Sequence, residues 1–317
     1  MNNIAGKTVL CTGVAGFIFS NFIRKVSAQY PDTKWIGVDK LVKHYNIDNL
    51  FEAPNYKYYL ADIADEHTMD RIFDIEKPDF VIGGAAESFV DNSISDIKPF
   101  IHTNIVGTQN IVNCCLKYEV AEYLHVSTDE IYGQKTNRDD RPWIETDALD
   151  PRNPYATTKA CAEMIVKTAH FTHGLPFKMT RSCNVFGPRR KLENLIPHII
   201  YSLANNAPIR IHGNGLNWRQ YIRVNDKISA IMTILQDGKL NNIYNIGDNN
   251  YFTNLEMVQQ ISSIMKKTPN ITFIEDRKCH DVGYSVNCDK LRELGWYPKY
   301  SFTNNMQDTI RWYMENK

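Results

Sequence analysis

The chain has 317 residues, 43% hydrophobic and 23% charged, the proportions of a folded globular protein rather than of a disordered or low-complexity one. Lys plus Arg and Asp plus Glu both number 36, so no net field steers the chain onto nucleic acid or an anionic membrane, and an anionic ligand must be met by a few locally placed cations. Cys11, Cys114, Cys115, Cys161, Cys183, Cys279 and Cys288 contain no C-x-x-C pair, which fits neither a disulfide framework nor a zinc site and suits a cytoplasmic setting; no apolar stretch approaches the roughly 20 residues of a membrane span.

Short β-type runs alternate with longer helical patterns through the first two thirds, which predicts an α/β fold with a Rossmann-type doubly wound parallel sheet. The first strand is predicted at Thr8 to Cys11. The mainly apolar run from Thr8 to Phe19, preceded by Lys7 and followed by no acidic residue before Asp32, superficially resembles a targeting presequence. That reading is set aside because the same residues form a ligand loop. Further strands are predicted at Trp35 to Val38, Tyr56 to Leu60, Phe80 to Ile82, Tyr123 to Val126 and Phe177 to Arg181. Phe100, Ile101, Ile105, Ile111, Val112, Cys115 and Leu116 recur at helical spacing and predict one long helix. A second helix starts at Pro154, a residue suited to a first turn, and runs to about His173. After residue 181, Gly187-Pro188, Gly213-Asn214-Gly215 and Pro269 break the pattern into short pieces, read as a smaller α/β cap, with Ile243 to Ile246 returning to the sheet. The expected division is residues 1–181 with about 220–247 in the sheet domain, and about 182–219 with 248–317 in a ligand-binding domain.

The first strand runs into Thr12-Gly13-Val14-Ala15-Gly16-Phe17-Ile18-Phe19. A glycine turn opening a helix lets backbone approach a pyrophosphate, which the unpaired N–H groups of the helix N-terminus then bind. Asp39, after the second strand, stands where a carboxylate accepts hydrogen bonds from an adenosine ribose and repels an added phosphate, favouring NAD over NADP. Asp62 and Ile63, after the third strand, are placed to flank the adenine. A plain structural turn is the alternative for the loop alone; the strand, the helix and Asp39 together favour the cofactor. Phe19 occupies the place where the spacing expects a third glycine. One of Gly83 and Gly84, at the end of the neighbouring fourth strand, is expected to vacate the space its ring fills.

Tyr155 and Lys159 lie four residues apart, on one face of the predicted helix. A nearby cation favours a phenolate, so the pair suits proton abstraction from an alcohol, although by itself it could equally be a solvated helix face. Ser127-Thr128-Asp129-Glu130 follows the fifth strand, at the carboxyl edge where open α/β sheets bind ligands. Adjacent carboxylates on a continuing strand point to opposite faces, so both enter one pocket only if the chain turns there. The alternative is an acidic helix N-terminus.

Motifs along nearly the whole chain carry a family resemblance: Asp39-Lys40-Leu41, Ala85-Ala86-Glu87-Ser88, Thr103-Asn104, Thr128-Asp129-Glu130, Tyr155 with Lys159, Asn184 with Gly187-Pro188, Leu195-Ile196-Pro197, Arg219, Asn254-Leu255-Glu256, and Arg277 with His280-Asp281. The chain resembles the extended short-chain dehydrogenase/reductases and, through the Thr-Asp-Glu triplet, their nucleotide-sugar 4,6-dehydratases acting on UDP-glucose or dTDP-glucose. It departs at Phe19, at Gly83-Gly84 and at Phe89. The resemblance implies NAD held by Gly13, Gly16, Phe17, Ile18, Asp39, Lys40, Asp62, Ile63, Ala85 and Ala86 with Tyr155 and Lys159, and no metal. It implies that Tyr155 takes the C4 hydroxyl proton, Glu130 the C5 proton, and that a protonated Asp129 donates to the leaving C6 hydroxyl while Thr128 orients the C4 oxygen. The product is a 4-keto-6-deoxy sugar, an early intermediate of deoxysugar (for example rhamnose) biosynthesis. Ser88, Asn184, Arg219, Asn254 and Arg277 are implied to bind the nucleotide sugar, though the two arginines could be ordinary surface residues, with Pro208, Ile209 and His212 near the base. A homodimer through a four-helix bundle, from the helices containing Ile105 and Ala160, completes the expectation. A nucleotide-sugar 4-epimerase would share the loop and Tyr155-Lys159 but leave the carboxyl pair idle, and a non-catalytic NAD-sensing protein would usually have lost one of the two motifs.

Overall fold

The computed structural model describes residues 4–41 and 47–316. In chain order the first elements are β1 (Thr8–Thr12), α1 (Phe17–Gln29), β2 (Lys34–Asp39), β3 (Tyr56–Leu60), α2 (Glu66–Glu76), β4 (Phe80–Gly83) and α3 (Val90–Ser95). A helical run then comprises α4 (Lys98–Phe100), a π-wound segment (Ile101–Gly107) and α5 (Thr108–Lys117), before β5 (Glu122–Thr128), α6 (Pro154–His173) and β6 (Phe177–Ser182). The rest comprises β7 (Asn184–Phe186), α7 (Leu195–Ala204), β8 (Ile209–His212), β9 (Trp218–Arg223), α8 (Val224–Asp237), β10 (Asn242–Ile246), β11 (Tyr251–Thr253), α9 (Asn254–Met265), β12 (Ile271–Ile274), β13 (Gly283–Tyr284), α10 (Asp289–Arg292) and α11 (Phe302–Glu315).

Seven strands pair in parallel in the order β10-β6-β5-β4-β1-β2-β3. The presequence-like run is therefore β1, held between β2 and β4 in the middle of the sheet, and the start of α1. One apolar cluster joins the sheet to α1 and α8 through Phe19, Phe22, Val26, Ile228, Ile231 and Leu235; a second joins its other face to α2, α5 and α6. With helices on both faces, strands are buried even where polar, and β5 is buried along its full length. Its Glu122 is paired at 2.9 Å with Lys178 of β6, both side chains 1% exposed. The seventh strand, β10, is the return strand expected near Ile243.

Two expectations are corrected. The run from Lys98 to Lys117 is continuous but π-wound over Ile101–Gly107, which turns Ile101 outward to 40% exposure. Such a segment re-aims side chains: it sets Gly107, where a Cβ would meet Ile63 at 2.6 Å, against the third-strand loop and turns Asn104 to Glu87 and Thr158. After residue 181 the pieces are not all short, since α7, α8, α9 and α11 have 10 to 14 residues. Apart from α8, they bury their apolar faces on a third cluster around Ile199, Ile211, Tyr221, Met257 and Met306, a tertiary stabilisation that breaker residues in the intervening loops do not reveal.

Candidate active site

Strand order reverses between β1 and β4, and the carboxyl ends of these strands open a cleft of about 360 Å³, as expected for a doubly wound sheet. Thr12 fastens the two ends together: its Oγ1 accepts the Gly84 and Ala85 N–H groups at 3.1 and 3.0 Å. Gly13 has φ +80°, and a Cβ there would lie 2.8 Å from the Ala85 backbone, so only glycine fits this turn. Gly16 caps α1 with no side-chain hydrogen bond, leaving that helix terminus to receive an anion. Phe19 is resolved as expected: a Cβ on Gly84 would run into its ring, whereas the space above Gly83 is filled by Tyr123. Phe19 also packs on Phe22, centroids 5.3 Å apart, so the missing glycine is exchanged for an aromatic core contact.

Asp39, 8% exposed, accepts the Ala15 and Leu41 N–H groups at 2.9 Å each, bracing the loop while further lone pairs remain for ribose hydroxyls. Burial raises its carboxyl; these backbone donors oppose the shift. Lys40 donates to Thr103 at 2.7 Å and lies 3.5 Å from both Asp62 and Glu87, closing the far end of the cleft. Gly13, Gly16, Phe17, Ile18, Asp39, Lys40, Asp62, Ile63, Ala85 and Ala86 all line the cleft. The uncapped helix terminus, the glycine cradle and the carboxylate together fit a dinucleotide with an unphosphorylated ribose.

At the other end β5 runs into a 3-10 turn, Asp129–Tyr132, capped by Thr128, whose Oγ1 accepts the Glu130 N–H at 3.3 Å. This turn brings both adjacent carboxyls onto the cleft. Asp129 is 1% exposed and its Oδ2 has no partner among the described residues. Burial, and then the Glu130 carboxylate, push its carboxyl up to about 8, so it carries a proton at neutral pH. Glu130 is also raised by burial, but Asn153 opposes the shift, donating from Nδ2 to Oε2 at 3.0 Å. Two neighbouring carboxyls thus have distinct environments, one suited to an acid and one to a base.

Tyr155 and Lys159 project from the first turns of α6, which starts at Pro154 as expected. Asn153 is the N-cap, accepting the Ala156 N–H at 2.8 Å, so one side chain both starts the helix and holds Glu130. The Lys159 ammonium, drawn down to about 8 by burial against the pull of Glu163, donates to the Val126 carbonyl at 2.8 Å. Tyr155 is pushed up by burial and then by Glu130, with the Thr128 hydroxyl pulling the other way.

Ser88 and Asn184 line the cleft, whereas Arg219, Asn254 and Arg277 do not. Arg219 donates to the Trp218 and Asp281 carbonyls at 2.7 and 3.1 Å, stacks over Tyr284, and faces both Asp129 and Glu130. Arg277 pairs with Asp91 of α3 at 3.0 Å and also faces Glu130. Asn254 begins α9, its N–H bonded to the Asn217 carbonyl at 3.0 Å. Pro208, Ile209 and His212 are off the lining; Ile209 is core, and the His212 ring bonds the Glu275 carbonyl at 2.9 Å. Sequence reasoning missed Asn153, Lys227 and the basic run Arg189-Arg190-Lys191; all but Asn153 line the cleft. Three consecutive cations after Gly187-Pro188 were the available signal, while Asn153 announced itself only as a residue preceding Pro154.

Residues 9–247 match the model of the NAD dependent epimerase/dehydratase family. The chain is 37% identical to the low-salt glycan biosynthesis protein Agl12 of Haloferax volcanii, over 96% of this chain and 98% of that one, and 35% identical to the dTDP-D-glucose 4,6-dehydratase of Bos taurus, over 98% and 89%. The crystal structure of DesIV, the dTDP-glucose 4,6-dehydratase of Streptomyces venezuelae with NAD and TYD bound, superposes with a TM-score of 0.92 at 34% identity, covering 98% of this chain and 97% of that one.

Proposed function

The chain belongs to the NAD dependent epimerase/dehydratase family, and on that premise we propose that it is a nucleotide-sugar 4,6-dehydratase, a hydro-lyase converting a nucleoside-diphosphate glucose into its 4-keto-6-deoxy derivative. The supporting observation is the carboxyl pair, with Asp129 held protonated and Glu130 held by Asn153 on one turn of the same cleft. NAD, held by the Gly13–Gly16 loop and Asp39, would supply the hydride acceptor for C4 of the sugar and the hydride donor for C6. Tyr155 accepts the C4 hydroxyl proton and Thr128 orients that oxygen. The resulting ketone acidifies C5, Glu130 removes the C5 proton, and Asp129 protonates the C6 hydroxyl, which departs as water. Glu130, once its proton has exchanged with solvent, then protonates C5.

Gly13, Gly16, Phe17, Ile18, Asp39, Lys40, Asp62, Ile63, Ala85 and Ala86 hold the dinucleotide, and Ser88, Asn184, Arg219, Asn254 and Arg277 the nucleotide sugar. The sugar-nucleotide residues fall in 182–219 and 248–317 except Ser88, and the dinucleotide residues in 1–181. Exposed Ile101 and Val106 on the helical run and Met164 and Phe171 on α6 support a homodimer through those helices, to be checked by light scattering. Incubation with UDP-glucose, dTDP-glucose and UDP-N-acetylglucosamine, without a second redox substrate, tests the reading. Loss of one water and uptake of one solvent deuterium at C5 are expected with a glucose nucleotide, and the preferred base identifies the substrate. A product of unchanged mass would mean epimerisation. With Asp129→Asn, elimination should slow more than the first hydride transfer, so that NADH absorbance builds up; absence of any NADH would place Asp129 earlier in the reaction.

A further inference from the structure

Lys227 is a buried cation that the reaction as described does not use. It is 3% exposed and lines the same cleft as Asp129. Its ammonium makes no hydrogen bond or ion pair with a described residue, although burying an unpartnered charge is costly. It also stands in the first turns of α8, where the helix dipole disfavours a cation. Neither packing nor helix stability accounts for a lysine there. The charged and titratable groups that act electrostatically on it are Cys183 after β6, Lys159 of α6, Asp129 from the 3-10 turn and Arg190 after β7. Asp129 is the carboxyl among them, and its Oδ2 is the atom left without a partner.

The elimination supplies a task for such a charge. Glu130 begins as a carboxylate and takes the C5 proton; the C5–H electron pair becomes the C5–C6 double bond. The C6–O bond breaks with its electrons, and that oxygen takes the Asp129 proton to leave as water. The step thus moves one negative charge from Glu130, which has the Asn153 donor, to Asp129, whose Oδ2 has none. Arg219 faces both carboxyls and gains little from the transfer, whereas Lys227 faces Asp129.

We propose that Lys227 is the counter-charge for this transfer, a positioning residue whose ammonium stabilises the carboxylate that Asp129 becomes when it gives up its proton. The inference rests on the dehydratase reading. It is tested with Lys227→Met in the NAD-loaded enzyme by two measurements. In pH-dependent infrared difference spectra, the carbonyl band of protonated Asp129, assigned by its loss in Asp129→Asn, should persist to a pH higher by roughly one unit than in the wild type, because an opposing charge has been removed. Glu130, Arg219, Tyr155 and Cys183, which also interact with Asp129, are unchanged in the variant. In rapid kinetics, C4 oxidation should stay within about twofold of wild type while elimination slows about tenfold and NADH accumulates, with Lys227→Arg restoring much of the loss. An Asp129 band that titrates as in wild type, or an unchanged elimination rate, overturns the proposal. Should Lys227→Met fail to fold, Lys227→Gln is read by the same criteria. A wild-type enzyme that releases no water from any nucleoside-diphosphate glucose would sink the functional reading instead, and the infrared titration would still decide whether Lys227 acts on Asp129.

Discussion

Asn153 has two duties that mutation can separate. Its Oδ1 caps α6 through the Ala156 N–H at 2.8 Å, and its Nδ2 donates to Glu130 at 3.0 Å. Replacing a cap by Ala costs about 1 kcal/mol of stability, and a hydrogen bond to a charged group contributes about 1.5 to 3 kcal/mol. The Glu130 bond favours the ionised carboxyl against the burial that raises it, so its loss raises the carboxyl further. At about 1.4 kcal/mol per pH unit, the acid limb of the pH–rate profile should move upward by roughly one to two units, because a base must be ionised to act and now loses its charge at higher pH. Asn153→Ser keeps a capping oxygen but is too short to reach Glu130. It is expected to retain stability while showing the shifted limb and slower C5 deuterium uptake. Asn153→Ala should show both the shift and the lost stability. A Ser variant with a wild-type profile would refute the reasoning, since Glu130 would then be tuned by something other than Asn153.

Gly84→Ala drives a methyl into the Phe19 ring and should cost about 1 to 3 kcal/mol by overpacking; adding Phe19→Leu is expected to recover part of this in a double-mutant cycle read by denaturant unfolding, and strict additivity would show that the two sites are independent. Behind Lys159, Glu163 accepts Arg181 Nη2 at 2.6 Å with both side chains nearly inaccessible. Glu163→Gln leaves the guanidinium without its counter-charge and should destabilise by about 3 to 5 kcal/mol, whereas replacing both residues by apolar ones should cost much less; equal losses would argue for packing alone. Glu76 is raised by burial, but bonds from Lys34, Lys57 and Tyr59 prevail and hold its carboxyl down at about 2. Because its folded value lies below the ordinary 4.5, its contribution is present above pH 4.5 and is lost as pH falls toward 2. Glu76→Gln should flatten that part of the stability–pH curve, and an unchanged curve would assign acid sensitivity elsewhere.

Local pattern was enough to place much of this protein. Alternating apolar runs located the six strands and the return strand because a sheet covered on both faces demands near-continuous apolar segments. Gly13, Asp39, Thr128, Tyr155 and Lys159 were legible because each belongs to a short motif whose geometry is set within a few residues of chain. Even the Phe19 anomaly was interpretable, since an oversized residue calls for an undersized neighbour on the adjoining strand. What sequence alone determined, then, was the fold class and the residues whose chemistry is written into one loop or one helix turn.

Tertiary structure decided which charges face one another, and burial decided their protonation. Asn153 reaches Glu130 from a residue 23 positions away, and Lys227 reaches the cleft from a helix that follows β9. The π-wound turn that re-aims Asn104, and the place of Arg189, Arg190 and Lys191 on the cleft lining, likewise depend on how distant segments pack. Asp129 and Glu130 are adjacent in the chain, yet one is held protonated while the other has a hydrogen bond favouring its ionised form, because desolvation and hydrogen bonding act on the folded surroundings of each carboxyl and not on its place in the sequence.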